Sequence, residues 1–157
     1  VLCGSKFIMN YTKDEICGAR IGNILSPEAS DIAAILYEQF RRRDDCFTVA
    51  NNSGFTIEQI QLVKYYVFFE KHYNRRNKFV PFEPSYDMAE SWRRLSEKSG
   101  KNIKPHDILL LKHELLEIAI LTQCNISQME AHEIANRKYN YQQAADAYYM
   151  SLGIGVK

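Results

Sequence analysis

The residues whose spacing best suits chemistry are His113 and Glu117, which lie four positions apart in the segment His113-Glu-Leu-Leu-Glu117. Residues at this spacing share one face of a helix, so the two side chains can touch or share a metal ion or a substrate proton. The segment is not the His-Glu-x-x-His zinc motif, because Glu117 stands where that motif has its second histidine. A hydrogen-bonded core histidine with a glutamate partner is the structural alternative.

A second polar stripe contains His132, Asn136 and Tyr139, of which Tyr139 is a candidate substrate contact. The connection from the helix that carries His113 is short, so we expect the two helices to pack antiparallel and to bring His132 to the level of Glu117. Two histidines and a carboxylate suit a divalent metal such as zinc. They equally suit metal-free acid–base chemistry on a ribose or phosphate. A solvated helix face is the alternative.

The segment from Glu70 to Phe79 interleaves basic residues with aromatic ones. Such a segment suits single-stranded nucleic acid, which needs charge for its backbone and rings for its bases, although most such runs are exposed loops. His72 is here a candidate general acid or base, and Arg75 and Arg76 are candidate phosphate ligands.

The segment from Pro84 to Leu95 places Asp87, Glu90 and Arg94 at helical spacing, and Asp87 is a further candidate catalytic carboxylate. Arg94 can hold a phosphate through two hydrogen bonds, or pair with Glu90 four residues earlier, and the ion pair is the favoured interpretation. Trp92 can stack on a base, but a core position is favoured for it.

Six helices are predicted to position these residues. Their starts carry recognisable signals: Pro27 after Ser26, and capping boxes that begin at Thr56 and Ser127. The helix from Pro105 to about Leu121 has leucine and isoleucine nearly all round, so we expect it to be the central, most buried helix. Ionisable residues on such a helix cost free energy unless they are paired, which favours a functional interpretation of His113. The other predicted helices begin near Ser85 and Tyr141.

The predicted fold is mainly α, a compact bundle of about five to six helices in one domain. Residues 26–152 form its helical core, and residues 1–25 are ambiguous between a helix, a short hairpin and a segment that links or imports the domain. A chain of 157 residues suits one domain and a real hydrophobic core. No apolar run approaches the roughly 20 residues that span a bilayer, so no stable membrane insertion is expected.

The net charge and the cysteine content limit the classes of function and of metal site that the sequence allows. The net charge is +1, from 20 basic and 19 acidic residues, which argues against a broad nucleic-acid coat but is compatible with a local grip on a few phosphates. The four cysteines form no Cys-x-x-Cys pair, so they predict no structural zinc site. Cys3 and Cys17 can pair, which the sequence leaves open.

The order of the motifs resembles that of the C-terminal toxin domains of bacterial polymorphic toxins, such as contact-dependent growth-inhibition proteins and Rhs-type secreted toxins. The resemblance covers roughly residues 55–150. The motifs that carry it are Val67-Phe-Phe-x-Lys-His72, Arg75-Arg76, Pro84-Ser-Tyr-Asp-Met-Ala-x-Ser-Trp-x-Arg-Leu95, His106-Asp-x-Leu-Leu-Leu-Lys-His-Glu-Leu-x-Glu117 and Ala131-His-x-Ile-Ala135.

This resemblance implies a domain at the C-terminal end of a larger secreted or cell-surface protein, which acts in the cytoplasm of a target bacterium. It implies a cognate immunity protein as partner, allows a target-cell protein factor as another, and makes a nuclease that attacks tRNA or other RNA the expected activity. The motifs of HNH nucleases, PD-(D/E)xK nucleases and deaminases are absent from the sequence. A ribonuclease or a different hydrolase therefore remains.

Two catalytic hypotheses and one non-enzymatic alternative follow. In the first, a ribonuclease without a cofactor uses His113 as general base or acid, assisted by Glu117, with His132 or His72 in the opposite role. Arginines hold the phosphates in this version: Arg75, Arg76 and Arg94. In the second, a metal-dependent hydrolase binds an ion such as zinc through His113, Glu117 and His132. The non-enzymatic alternative is a helical protein-interaction module.

Overall fold

The computed structural model describes residues 21–157, so most of the ambiguous N-terminal segment lies outside the described residues. The described chain is mainly helical, as predicted, with one small antiparallel hairpin. Its elements are α1 (Pro27–Arg42), α2 (Cys46–Ser53), α3 (Ile57–Phe68), β1 (Lys71–Tyr73), β2 (Phe79–Pro81), α4 (Tyr86–Leu95), α5 (Pro105–Gln123), α6 (Gln128–Lys138) and α7 (Tyr141–Ser151).

Local capping chemistry fixes where several helices begin. The Ser26 hydroxyl accepts a hydrogen bond from the backbone N–H of Ala29 at the start of α1. Capping boxes begin α3 at Thr56 and α6 at Ser127. Each box satisfies backbone N–H groups that have no partner within the first turn. The predicted starts of these three helices are therefore confirmed.

Two elements were not predicted, namely α2 and the hairpin. Helix α2 has only eight residues and ends at Gly54, whose φ of 79° lies in the left-handed region that glycine favours. The strands β1 and β2 have three residues each, too few for an alternating pattern to show in the sequence. Tyr73 pairs with Phe79 beside the turn, so the polar run 72–78 lies in a hairpin.

Helix α5 packs against α3, α4, α6 and α7, which makes it central as expected. Leu110 and Leu111 contribute to the apolar core, while His113, Glu114 and Glu117 are buried polar residues on the same helix. Helix α6 packs along α5 but buries only two side chains, Ala131 and Ala135. The contact between these two helices thus depends largely on polar groups.

A buried ion pair fixes the start of α5 against α4. The Arg94 guanidinium donates to both carboxylate oxygens of Asp107, at 2.9 and 2.8 Å. Asp107 also accepts a hydrogen bond from the backbone N–H of Lys104, which caps α5. Because the pair is almost fully buried, it sets the position of the helix that carries the candidate site.

In residues 21–157, no helix is both long and apolar enough to cross a membrane. Cys46 and Cys124 are free thiols in this part of the chain. The possible pair of Cys3 and Cys17 lies outside the described residues.

Candidate metal centre

Three side chains from two neighbouring helices converge at one point, as predicted. His113 and Glu117 are one turn apart on α5, and His132 comes from α6. The Nε2 atom of His113 lies 3.1 Å from Glu117 Oε2 and 3.1 Å from His132 Nδ1, and His132 Nδ1 lies 3.0 Å from Glu117 Oε2. The three atoms therefore form a nearly equilateral triangle.

The size of this triangle fits the coordination sphere of a small divalent ion. The point equidistant from its corners lies ~1.8 Å from each, so His113, Glu117 and His132 could together hold one ion at the ~2.0–2.1 Å typical of zinc–nitrogen and zinc–oxygen bonds. His113, Glu117 and His132 are also the one group of potential metal ligands found in the described residues.

Neighbouring groups orient two of the three side chains. The Nδ1 atom of His113 donates to the backbone carbonyl of Tyr139 at 2.8 Å, which orients the ring so that Nε2 faces the centre. The Glu117 Oε1 atom accepts hydrogen bonds from the Tyr66 hydroxyl and, at 2.8 Å, from Gln128 Nε2. Glu117 Oε2 is thereby turned toward the two imidazoles. Contacts of this kind are typical of the residues that support metal ligands.

The electrostatics keep Glu117 ionised. Burial alone would raise the pKa of this carboxyl, but hydrogen bonds with His113, His132 and Tyr66 hold it well below its usual range. The hydrogen bond with Glu117 in turn raises the pKa of His132. Burial, reinforced by the charge of Glu117, raises the pKa of Glu114. The centre thus combines one fixed negative charge with two imidazoles.

A cavity of about 400 Å³ opens beside Glu117 and His132. This volume lies within the range of small-ligand sites. One wall is formed by α6 and the other by the hairpin, which contributes Arg75. Apolar side chains supply much of the remaining surface: Val80, Pro81, Phe82, Met88 and Met129. The cavity therefore reaches two of the three triangle residues, Glu117 and His132.

Glu114 is a functional candidate that the sequence interpretation missed. It lines the cavity, is only 6% exposed, and its carboxylate has no hydrogen bond or ion pair within residues 21–157. It follows His113 directly, as the general-base glutamate does in the His-Glu-x-x-His motif. The His113-Glu114 pair, which matches the first half of that motif, is the sequence signal that points to Glu114.

Two other predicted site residues reach the cavity without touching the triangle. His72 stacks on Phe82, with ring centroids 4.1 Å apart, and is mostly buried. Its Nε2 atom has no hydrogen-bond partner in the described chain. Arg75 lines the cavity from the hairpin turn, whereas Arg76 beside it is exposed but is not part of the cavity wall.

The structure does not bring the α4 candidates to the cavity. Arg94 is bound to Asp107, and Trp92 is 1% exposed with its indole N–H donating to Asp45 at 2.9 Å. Asp87 is also buried and accepts a hydrogen bond from Gln142 at 3.0 Å. These three side chains support the packing of α4, and none of them lines the cavity.

The residues of the polar stripe 132–139 have two roles: His132 belongs to the triangle, whereas Tyr139 and Asn136 contact its imidazoles. Tyr139 contributes its backbone carbonyl to His113, and its ring lies beside Lys138 instead of in the cavity. The Asn136 side-chain amide lies 3.2 Å from His132 Nε2, on the side of that ring away from the triangle. Both residues therefore help to hold the imidazoles.

No family model matches the chain, and the comparisons with curated proteins and with solved structures gave no match. The resemblance to toxin domains, together with the immunity protein, the target-cell factor and the location that it implies, stays a prediction.

Proposed function

We propose that the protein is a metal-dependent hydrolase whose ion is held by His113, Glu117 and His132. The observation that carries this proposal is the triangle of ligand atoms, with sides of 3.0–3.1 Å. Two imidazoles and one carboxylate form a ligand set that catalytic zinc sites use, with a further position left for water or substrate. The cavity beside Glu117 and His132 supplies that position.

The burial of His113 favours a metal ligand over a metal-free general base. The residue is 2% exposed, its Nδ1 is bonded to a backbone carbonyl, and its Nε2 faces Glu117 and His132. A general base must come within hydrogen-bond reach of the proton that it removes. A ligand needs only to reach the ion. We therefore favour the metal-dependent hypothesis over the ribonuclease that uses His113 as base.

The hydrolysis needs one more group, which Glu114 can supply. A bound divalent ion polarises the substrate and activates water as a nucleophile. In this proposal Glu114 takes a proton from the attacking water and passes it to the leaving group. The water oxygen then bonds to the electrophilic carbon or phosphorus, and the bond from that atom to the leaving group breaks. Its lack of another partner leaves the Glu114 carboxylate free for this transfer.

Metal content and hydrolysis test the proposal together. The purified protein is stripped with a chelator, reloaded with zinc and analysed for metal per chain, and its activity is followed with a nitrophenyl ester and bis(nitrophenyl) phosphate. We expect about one tightly bound ion and hydrolysis that the chelator abolishes and zinc restores.

The matched variants are His113→Ala and Lys112→Ala, which change neighbouring residues of α5. Lys112 is exposed and does not line the cavity, so its variant should bind zinc and react as the wild type does. His113→Ala should lose both properties, with helicity checked by circular dichroism. Activity that survives chelation, or zinc binding that survives His113→Ala, contradicts the proposal.

A further inference from the structure

We infer that the hairpin formed by β1, β2 and their turn binds single-stranded nucleic acid and guides it to the ion centre. This inference names the substrate class of the proposed hydrolase and rests on that function for cleavage, but not for binding. It comes from the charge, the exposed rings and the cavities of the segment 71–81.

Positive charge is concentrated in the hairpin. Four cations lie within eight consecutive positions that contain no acidic residue, although the whole chain has a net charge of only +1. All four side chains are exposed, and none forms an ion pair in the part of the chain that the structure describes. They are Lys71, Arg75, Arg76 and Lys78. Unpaired cations on one short hairpin are suited to neutralise successive phosphates.

Two aromatic rings lie side by side among these cations. Tyr73 and Phe79 are paired across the strands, and their ring centroids are 5.0 Å apart. They are 66% and 56% exposed, so the rings contribute little to the core. Exposed rings beside cations provide the stacking surface that unpaired bases use. A duplex keeps its bases stacked inside, so this surface favours a single strand.

Cavities on both sides of the hairpin continue this surface toward the ion centre. The cavity at the centre contains Arg75, and a second cavity, also of about 400 Å³, contains Lys71 and Phe79. Tyr73 and Gln128 line both cavities, and Gln128 also donates to Glu117. A strand that crosses Tyr73 thus meets a cation on each side and a ligand of the ion on one side.

The cavity at the ion centre has mainly acidic residues among the charged residues of its lining, unlike the hairpin, so cleavage there depends on the ion whereas strand binding to the hairpin does not. Its charged lining includes one cation, Arg75, against four carboxylates: Glu83, Glu114, Glu117 and Glu133. A divalent ion would offset the negative charge of this lining, which otherwise repels a phosphate. The hairpin cations need no such compensation. Hydrolysis there joins the water oxygen to phosphorus and breaks one P–O ester bond, and the proton taken up by Glu114 goes to the leaving oxygen.

Binding is tested on the intact protein in the presence of a chelator, by fluorescence anisotropy with a labelled uridine oligonucleotide, the matching deoxyuridine oligonucleotide and a blunt duplex. The variant Arg75→Ala/Arg76→Ala removes two hairpin cations. Its control, Lys98→Ala/Lys101→Ala, removes two exposed cations from the loop between α4 and α5. Both variants therefore change the net charge by the same amount.

We expect the single strands to bind more tightly than the duplex, and only the arginine variant to lose affinity. Each lost phosphate contact lowers the salt dependence of single-strand binding by ~0.7 in log–log slope, so two lower it by ~1.4. A fourfold rise in salt concentration should therefore weaken binding by the wild type about sevenfold more than it weakens binding by the arginine variant. Replacing Tyr73 and Phe79 by leucine should weaken binding by about tenfold per ring.

The inference is overturned if the arginine variant binds the single strands as tightly as the lysine control does. It is also overturned if the duplex binds as tightly as the single strands. Preference for uridine over deoxyuridine identifies RNA as the source of the strand, and equal binding identifies the chemistry that RNA and DNA share. Because the assay contains no free metal, strand binding without zinc-dependent cleavage refutes the hydrolase alone. Zinc-dependent hydrolysis without strand binding refutes the hairpin inference alone.

Discussion

Binding of zinc should raise the melting temperature of the protein by an amount that follows the contacts of the centre. An ion present at 100 times its dissociation constant stabilises the folded chain by about 2.7 kcal/mol, if the unfolded chain does not bind it. For a domain of this size, 1 kcal/mol corresponds to about 2–4 °C. The chelator-stripped wild type should therefore gain about 5–11 °C when zinc is added.

The variants should follow a graded order at the same zinc concentration. Tyr66→Phe removes one hydrogen bond to Glu117 Oε1, and supporting contacts of this kind change metal affinity by about 10–100-fold. The stabilisation by zinc should then fall to about 0.4–1.4 kcal/mol, which is about 1–6 °C. His113→Ala removes a ligand, so its shift should be close to zero. His106→Gln changes another buried histidine of α5 and should keep the wild-type shift.

Differential scanning calorimetry with a zinc titration measures these shifts directly. Comparing each variant with and without zinc cancels any change in intrinsic stability. A zinc-induced shift in His113→Ala as large as in the wild type would refute the reasoning. So would a wild-type melting temperature that zinc leaves unchanged at saturating concentrations.

The remaining predictions concern catalysis and stability. Glu114→Gln should keep the zinc-induced shift but lower the hydrolysis rate at least about 100-fold, as steady-state kinetics can show. Arg94→Ala should cost about 3–5 kcal/mol in urea unfolding, because it leaves Asp107 buried without its partner. Burial lowers the pKa of His106, so the unfolded chain takes up this proton at higher pH than the folded one. The stability that this difference provides above about pH 6.5 is therefore lost as the pH falls. The loss should be smaller in His106→Gln, and thermal melts at pH 7 and pH 5 can measure it.

Much of the helical architecture could be predicted because its signals are local. Ser26, Thr56 and Ser127 cap helices through atoms only three residues away, so the sequence contains the whole interaction. The strands of the hairpin lack such signals. They are defined by pairing between Tyr73 and Phe79 and by Asn77, whose φ of 55° closes the turn. Asparagine tolerates this conformation, but the residue type alone does not predict it.

The candidate site was predictable where helical spacing determines it. His113 and Glu117 share a face of α5, and a short connection was enough to infer that His132 would join them. The partners that come from distant elements were not predictable, as Tyr66 shows: it lies 51 residues before Glu117 and carries no pattern that points to it. Arg94 shows both cases. Its ion pair with Glu90, with Nη1 and Oε2 3.9 Å apart, follows from the spacing of four residues and is confirmed, whereas its closer contact with Asp107 of the next helix has no signal in the spacing.

Because α6 has only a small apolar contact with the rest of the domain, ion binding should affect the attachment of this helix as well as catalysis. Burial of two alanine methyl groups contributes only about 2 kcal/mol, so this helix has little intrinsic hold on the rest of the domain. Gln128 at its beginning, His132 in its middle and Tyr139 just after its end all attach to His113 or Glu117. In the absence of an ion, α6 should therefore detach at lower free energy than the surrounding helices. Assembly of the reactive centre and closure of this side of the domain would then be a single cooperative event.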